Sequence, residues 1–459
     1  MKSAVKDERL FGTDGIRGRY GEGWLTGPSV SALGRAIGNV LARQHGRRGG
    51  SALVGHDGRR SGPTLEAAVA RGLTASGYAV TSAGLITTPG LAVLGRLRGF
   101  DLTIMISASH NPAEDNGIKI FSSSADKLPD ATEDEIEVEL RAHPEPVDAG
   151  GPPPADPALE NLYLEHLLGA ADGLKLDGLA IALDCANGGG SRIAPRILGR
   201  LGAHVLALAS EPDGDNINQE CGSTHPARLQ ETVRLHSADL GIALDGDGDR
   251  CLLVDEQGAL VNGDAILTLL GRDRAERGAL KDPRIVATVM SNRGLHRALR
   301  DVGVEVLTVG VGDRRVVEAL RRERLTLGGE QSGHIVFGDE NSYVGDGIFT
   351  ALRVLEVLGR RAARLSELAG AYRAFPQVLL NVPVERKPDL NQVPAVLEEV
   401  RRIERELGED GRVLLRYSGT EPLARVMVEG PDEAHIRAAA QTIAARIARE
   451  IGNGSAPGP

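Results

Sequence analysis

A serine follows a short apolar stretch that has the length and composition of a buried strand. Leu102 to Ile106 is almost wholly apolar, and the chain continues Ser107-Ala108-Ser109-His110-Asn111-Pro112. A serine beside a histidine at the exit of a buried strand is placed to act as a nucleophile. The same residues are also typical of a turn or a helix cap. Lys119 either shares this site or is an exposed strand lysine, and the segment alone leaves both questions open.

Three carboxylates alternate with glycines in a second loop. Asp245, Asp247 and Asp249 stand at i, i+2 and i+4 between two apolar strand-like runs. Oxygen ligands suit Mg²⁺ or Ca²⁺ rather than Zn²⁺. An EF-hand is excluded because its sixth position, Arg250, should be glycine and its flanks should be helices. A metal-free acidic turn is the alternative, but the carboxylates would repel each other. We therefore predict a metal, with Arg250 neutralising charge on a transferring phosphoryl group.

Two further loops are rich in glycine. Phe11 to Gly18 carries Arg17, which could grip a phosphate with its planar guanidinium or be a solvated surface arginine. Gly328 to His334 contains Glu330 and Ser332, two residues apart. In an extended segment these two side chains would face the same way and could bind neighbouring sugar hydroxyls. A β-turn with polar tips is the alternative for this loop.

A phosphate-binding turn is predicted near the C-terminus. Val413 to Tyr417 reads as a strand and Arg425 to Val428 as its return strand. The side chains and amides that could surround an anion there are those of Arg416, Ser418, Gly419, Thr420 and Arg425. No Gly-Lys-Ser/Thr follows, so this is not a P-loop.

Strand and helix patterns alternate along the chain, which indicates an α/β protein. Asp184 to Gly190 lacks the spacing of a dinucleotide-binding turn, so a nucleotide cofactor is not expected. A stretch dense in proline and glycine, 143–157, reads as a linker. Glu433 to Ile451 is predicted to be a closing helix with one apolar face. We expect four domains, at 1–150, 158–255, 256–372 and 376–452.

Composition narrows the possible partners. The formal net charge of −10 argues against a broad basic surface for nucleic acid. Cys185, Cys221 and Cys251 match no zinc or redox spacing, which fits a reducing compartment. The N-terminus is charged and carries no apolar signal segment, and no apolar run approaches the roughly 20 residues of a membrane span. We predict a cytoplasmic protein that binds neither nucleic acid nor membrane.

Four of these loops, in this order, resemble those of the α-D-phosphohexomutases. Ser107–Pro112 resembles the phosphoserine loop of that family, Asp245–Arg250 its metal loop, Gly329–His334 its sugar-binding loop and Arg416–Pro422 its phosphate-binding loop. The resemblance implies an α/β fold of three related mixed α/β sandwich domains, with a smaller C-terminal α+β domain, around a central cleft.

The resemblance also implies a chemistry. Ser109 would carry a phosphate that passes to the sugar and gives a 1,6-bisphosphate, which also serves as activator. One Mg²⁺ per chain would be held by Asp245, Asp247, Asp249 and that phosphate. The implied candidates for proton transfer or charge stabilisation are His110, Lys119, Arg17 and Arg250. The implied substrate-binding residues are Glu330, Ser332, His334, Asp313, Arg416, Ser418, Gly419, Thr420 and Arg425.

Some residues resemble one bacterial subgroup of the family. These are Phe11–Gly18, Asn216–Asn218, Cys221–Pro226 and Gln331, whereas Arg315 and Tyr343-Val344 depart from its pattern. The subgroup implies isomerisation of glucosamine 6-phosphate to glucosamine 1-phosphate. The alternatives are a glucose or mannose phosphate mutase of the same fold, a catalytically silent sugar-phosphate-binding protein, and a Mg²⁺-dependent phosphatase. The sequence leaves the oligomeric state open, with a homodimer as the candidate.

Overall fold

The computed structural model describes residues 9–12, 14–148, 150–418 and 422–452. They form two compact units. One contains the chain up to residue 290 together with 307–369, and the other contains 291–306 and the chain from 370 onward. Within the described residues, no helix is long and apolar enough to cross a membrane.

The first sheet has five strands in the order β1-β5-β4-β2-β3. Strands β2, β3 and β4 are parallel, and β5 returns antiparallel to β4. Strand β4 is buried at every position, as its apolar sequence predicts, and it packs with the flanking helices. The elements are β1 Ile16–Arg19, α1 Gly27–His45, β2 Gly50–His56, α2 Gly62–Ala75, β3 Tyr78–Leu85, α3 Thr88–Arg98, β4 Leu102–Ile106, β5 Asp115–Ser122 and α4 Asp130–Ala142.

The second sheet repeats this plan in the order β10-β9-β8-β6-β7. Strands β6, β7 and β8 are parallel, and β9 returns antiparallel to β8. Its elements are α5 Ala158–Ala170, β6 Ala180–Asp184, α6 Ile193–Arg200, β7 His204–Leu208, α7 Ala227–His236, β8 Leu240–Leu244, β9 Cys251–Asp255 and β10 Leu260–Val261.

The third sheet has four strands in the order β12-β11-β13-β14. Strand β13 is parallel to β11 and antiparallel to β14. The elements from here to residue 369 are α8 Gly263–Glu276, β11 Arg284–Thr288, α9 Arg293–Arg300, β12 Glu305–Val309, α10 Asp313–Glu323, β13 Leu327–Gly329, β14 Ile335–Phe337, α11 Gly347–Arg361 and α12 Leu365–Ala369. Helix α9 belongs to the other compact unit.

Each of these sheets contains one repeat of four strands, which are β2–β5, β6–β9 and β11–β14. In all three repeats the strands lie side by side in the same order: second, first, third and fourth. In each repeat a short loop joins the third strand to the antiparallel fourth. Ser109 lies in the β4–β5 loop, the three aspartates in the β8–β9 loop, and Glu330 in the β13–β14 loop. The predicted fold class of related mixed α/β domains is confirmed, and the repeat brings corresponding loops to corresponding strand ends.

The other compact unit is built on an antiparallel sheet, ordered β15-β17-β16. The elements of this unit from residue 370 onward are β15 Gln377–Pro383, α13 Pro394–Leu407, β16 Arg412–Tyr417, β17 Leu423–Glu429 and α14 Glu433–Ile451. Helix α14 begins where the side chain of Asp432 accepts a hydrogen bond from the His435 amide, at 2.9 Å. Its predicted apolar face is buried, with Ile436, Ile443 and Ile447 inaccessible to solvent.

Candidate functional site

Ser109 lies in a turn, and its hydroxyl faces the carboxylate loop. The residue is buried and has a left-handed backbone, with φ 54°. Its Oγ donates a hydrogen bond to Asp245 Oδ2 at 2.8 Å and lies 3.3 Å from His110 Nδ1. No helix begins at this turn, so the alternative in which Ser109 caps a helix is wrong. Two residues 136 positions apart in sequence therefore meet side chain to side chain.

The carboxylates of Asp245, Asp247 and Asp249 converge. Their oxygens lie within 4.8 Å of one another, and all three residues are buried. The intervening glycine is required sterically, because a Cβ at Gly246 would lie 2.6 Å from the carbonyl oxygen of Ser109. The loop can therefore approach the serine turn closely only without a side chain at that position.

The electrostatics of this cluster fit a bound cation. Burial, and then the charges of Asp249 and Asp247, raise the pKa of Asp245 well above its ordinary value. Asp247 Oδ1 and Asp249 Oδ1 are buried and have no hydrogen-bond partner among the described residues. Buried carboxylate oxygens without partners are costly unless a cation binds them. The triad is thus positioned for a metal ion with oxygen ligands.

Lys119 is the ammonium group nearest to this cluster. Its side chain is only 2% exposed, so the alternative of an exposed strand lysine is wrong. Its Nζ lies 2.8 Å from Asp247, 2.9 Å from Asp14 and 3.5 Å from Asp249. Burial lowers the pKa of Lys119, but these carboxylates raise it more, so that it lies well above its ordinary value. Lys119 is therefore a fixed positive charge.

The same lysine acts on the pKa of Asp249. Burial raises this pKa, but the charge of Lys119, followed by His334 and Arg250, lowers it below its ordinary value. Asp249 is thus ionised while burial and its neighbours favour a proton on Asp245.

The two histidines at the site differ in charge. Burial, and then the charges of Arg250 and Arg17, lower the pKa of His110 to about 4, so its ring is neutral at pH 7. Burial also lowers the pKa of His334, but the nearby Asp249 carboxylate, 3.7 Å away, raises it to about 9. A neutral imidazole can accept a proton beside the Ser109 hydroxyl, whereas the imidazolium of His334 can only donate.

The two predicted arginines take different partners. Arg17 forms an ion pair with Asp14, a residue of its own loop. The backbone amide of Arg250 donates to Asp245 Oδ1 at 3.1 Å, and its guanidinium Nε lies 4.0 Å from Asp249 Oδ1. Both arginines line a cavity of about 420 Å³ that also reaches Ser109.

The predicted sugar-binding loop is a turn and not an extended segment. The Gly333 amide donates to the Glu330 carbonyl at 3.0 Å, so of the two alternatives that the sequence left open the loop adopts the β-turn, and the extended arrangement is wrong. Gly333, the last residue of the turn, has a left-handed backbone with φ 93°, which glycine adopts without strain. The Glu330 carboxylate accepts a hydrogen bond from the Gly312 amide at 3.1 Å, and Ser332 Oγ is buried without a partner among the described residues.

Glu330, His334 and Asp313 line the same cavity as Ser109. Asp313 begins helix α10, and its carboxylate accepts a hydrogen bond from Lys127 Nζ at 2.5 Å. The structure therefore brings three of the four predicted sugar-site residues of this unit to one cavity.

The predicted phosphate turn lies in the compact unit formed around β15–β17. Arg416 on β16 is paired in register with Arg425 on β17, so that two positive side chains are neighbours. Like charges directly opposite each other on neighbouring strands are unfavourable. The Ser418 amide donates to the Leu423 carbonyl at 2.9 Å, and the Ser418 carbonyl accepts from Lys387 Nζ at 2.7 Å. Gly419 and Thr420 lie outside the described residues.

Three residues at the serine–carboxylate site were not predicted from the sequence. Thr88 Oγ1 donates to Asp247 Oδ2 at 2.5 Å, and its amide donates to the Asp247 carbonyl at 2.8 Å. Asp14 binds both Lys119 and Lys127. Asp14 lies in the glycine-rich loop Phe11–Gly18, and a buried lysine implies a carboxylate partner. Thr88 and Lys127 carried no comparable signal.

Comparison with known proteins agrees with this arrangement. Residues 8–146, 161–258, 262–375 and 379–446 match domains I, II, III and IV of the phosphoglucomutase/phosphomannomutase family. The chain is 47% identical to proteins named phosphoglucosamine mutase in Symbiobacterium thermophilum and Mycolicibacterium paratuberculosis, over 96% of this chain and 99% of each relative. A phosphoglucomutase/phosphomannomutase family protein of Burkholderia thailandensis has the same fold, with TM-score 0.78, 26% identity, and coverage of 96% of this chain and 97% of the other.

Fold and site together define a four-domain α/β mutase, an isomerase by class. The chain belongs to the phosphoglucomutase/phosphomannomutase family, which confirms the resemblance carried by its four loops.

Proposed function

We propose that the protein catalyses the phosphoglucosamine mutase reaction, the interconversion of glucosamine 6-phosphate and glucosamine 1-phosphate. Support comes from relatives of that name that are 47% identical over nearly the whole chain. The observation that carries the mechanism is the contact between Ser109 Oγ and Asp245 Oδ2, at 2.8 Å within a buried cluster of three aspartates. A hydroxyl beside such a cluster is suited to hold and transfer a phosphoryl group.

We propose one Mg²⁺ per chain, held by Asp245, Asp247, Asp249 and a phosphate on Ser109. The two buried carboxylate oxygens without partners support such a ligand set. When bound, this ion would withdraw charge from the transferring phosphoryl oxygens. Lys119, which lies 2.8 Å from Asp247, would hold the carboxylates in place by neutralising the rest of their charge.

The transfer exchanges one phosphate ester for another. The bond between phosphorus and Ser109 Oγ breaks and a bond from phosphorus to the oxygen of the free sugar hydroxyl forms. The sugar hydroxyl gives up its proton to a base of the site, and the Ser109 oxygen released from phosphorus takes up one proton in return. His110 is our candidate to carry a proton at Ser109, because its ring nitrogen lies 3.3 Å from Oγ. The guanidinium groups of Arg17 and Arg250 line the cavity and would stabilise the developing charge.

The resulting 1,6-bisphosphate would reorient in the site, so that its original phosphate is transferred to Ser109. Added sugar 1,6-bisphosphate would act as activator by phosphorylating Ser109. Sugar hydroxyls would be bound by Glu330, Ser332, His334 and Asp313. The non-reacting phosphate would be bound by Arg416, Ser418, Gly419, Thr420 and Arg425.

We propose the domain limits 1–150, 158–255, 256–372 and 376–452, which lie close to the ranges that match the family domains. We also propose a cytoplasmic location and a homodimer. Size-exclusion chromatography with light scattering tests the dimer directly.

A coupled assay on glucosamine, glucose and mannose phosphates, with sugar 1,6-bisphosphate and Mg²⁺ present, tests the proposal. We expect the highest kcat/KM on the glucosamine phosphates and no net release of inorganic phosphate. A preference for glucose or mannose phosphates would change the substrate, stoichiometric phosphate release would indicate a phosphatase, and binding without turnover would indicate a silent binder.

A further inference from the structure

Arg59 is a fully buried arginine whose hydrogen bonds converge on the Ser109 turn. Its Nε binds Asp57 Oδ2 at 2.9 Å, and both residues are inaccessible to solvent. One terminal nitrogen donates to the carbonyls of Ser109 and Asn111, each at 2.9 Å. The other donates to the carbonyls of Pro112 and Asp115. A guanidinium has five N–H donors, and here each of the five has an acceptor.

Asp57, the ion-pair partner of Arg59, is linked through Ser107 to the backbone amide of Ser109. Asp57 Oδ2 accepts a hydrogen bond from Ser107 Oγ at 2.6 Å, and Ser107 Oγ in turn accepts from the Ser109 amide at 2.8 Å. The N–H and C=O groups of Ser109 are therefore both tied to one buried ion pair.

A second donor reaches the same carbonyls from the loop that joins β7 to α7. Asn218 Nδ2 donates to the carbonyls of Ser109 at 2.9 Å and Asn111 at 3.0 Å. The carboxylate loop also packs there, since Gly246 leaves no room for a Cβ against the Ser109 carbonyl. The turn is thus fixed relative to the strands on both sides of it.

The backbone of Ser109 needs such support. A left-handed conformation is unfavourable for a non-glycine residue, and Ser109 has φ 54°. This conformation directs the side chain so that Oγ reaches Asp245. Release of the carbonyls would let the turn relax and move the hydroxyl away from the carboxylates.

We propose that Arg59 and Asn218 are positioning residues for phosphoryl transfer, which act together through the carbonyls of Ser109 and Asn111 to hold Ser109 Oγ at the aspartate cluster. This inference rests on the proposed role of Ser109. It assigns Arg59 no contact with the sugar, so a change at Arg59 should affect kcat rather than KM.

The test compares Arg59→Lys with Arg60→Lys. Lysine keeps the charge beside Asp57 but cannot serve five acceptors, whereas Arg60 is exposed and pairs with Asp215 at the surface. We expect kcat of Arg59→Lys to fall by roughly 100-fold with KM within about threefold of wild type, since a misplacement of about 1 Å can cost that much. The rate at which sugar 1,6-bisphosphate phosphorylates Ser109, monitored by intact-mass measurement, should fall by a similar factor. Arg60→Lys should match wild type.

Unchanged kcat in folded Arg59→Lys, or a loss confined to KM, would overturn the inference. If Arg59→Lys does not fold, Asn218→Gly decides, because glycine accepts the left-handed backbone of Asn218, with φ 58°, and removes only the amide donors. A fall in kcat with unchanged KM and melting temperature then supports the inference, and unchanged kcat overturns it. Wild-type protein that turns over without phosphate on Ser109 would instead refute the proposed function.

Discussion

Replacement of Lys119 by methionine should destabilise the protein in a way that depends on metal and pH. The substitution keeps the side-chain volume but removes the ammonium group that lies within 3.5 Å of Asp14, Asp247 and Asp249. Loss of one partner from a buried ion pair costs about 3–5 kcal/mol. At about 2–4 °C per kcal/mol, the first melting transition should fall by roughly 6–20 °C in the presence of a chelator.

Two further measurements identify the cause. Mg²⁺ should raise the melting temperature of the variant more than that of wild type, because the ion replaces the missing positive charge. Burial raises the pKa values of Asp14 and Asp249 and the charge of Lys119 lowers them, so both pKa values should lie higher in the variant than in wild type. The folded variant then binds protons more tightly than folded wild type, and its loss of stability relative to wild type should shrink as the pH falls from about 7.5 to about 5.5.

Lys175→Met is the matched control, because Lys175 is exposed. Differential scanning calorimetry of both variants with chelator and with Mg²⁺ gives the comparison. Equal melting temperatures for the two variants in chelator would refute the claim that the ammonium group of Lys119 supports the carboxylate cluster.

Four other changes test separate parts of the site. Ser109→Ala should abolish turnover and remove the phosphate that intact mass and peptide mapping detect on wild type; activity near wild type would exclude the covalent step. Asp247→Asn should lower the Mg²⁺-dependent rate by roughly 100-fold or more while the circular dichroism spectrum is kept, and a rate like wild type would make the loop structural. Arg416→Ala should raise KM for the phosphosugar about 10–100-fold, since a hydrogen bond to a charged group contributes about 1.5–3 kcal/mol, without lowering the melting temperature. Burial raises the pKa of Asp346 to about 6 from 3.8. The stability that Asp346 contributes is therefore fully present below about pH 4 and is lost as the pH rises through 6. Asp346→Asn should remove this pH dependence in a series of thermal melts and should stabilise the protein by up to about 3 kcal/mol near neutral pH.

The sequence predicted elements whose pattern is local. Strand β4 has the predicted bounds of Leu102–Ile106, and helix α14 has the predicted bounds of Glu433–Ile451. Both are dense in apolar residues at the period of their own structure, so no distant contact is needed to recognise them.

The site was predictable only where a loop carried its chemistry in one stretch. The three aspartates lie within five residues, and their repulsion alone indicated a cation. Thr88, by contrast, reaches Asp247 across 159 positions, and Arg59 reaches the Ser109 carbonyl across 50. Such contacts depend on sheet order and on which loop leaves which strand end, and spacing does not encode them. The sequence left the loop at Glu330 open between an extended segment and a β-turn for a related reason, because only Gly333 marked the closure of the turn.

The three loops that follow β4, β8 and β13 occupy one equivalent position in a repeated sheet. Each repeat supplies a different group there: a hydroxyl, a set of anionic oxygens, or a single carboxylate beside an imidazole. An ancestral hairpin copied three times would explain this division of labour, because a hairpin can change its chemistry while the strands that carry it keep their packing. Exchange of whole hairpins between relatives, with the strands left in place, is accordingly a rational route to altered sugar preference in this protein.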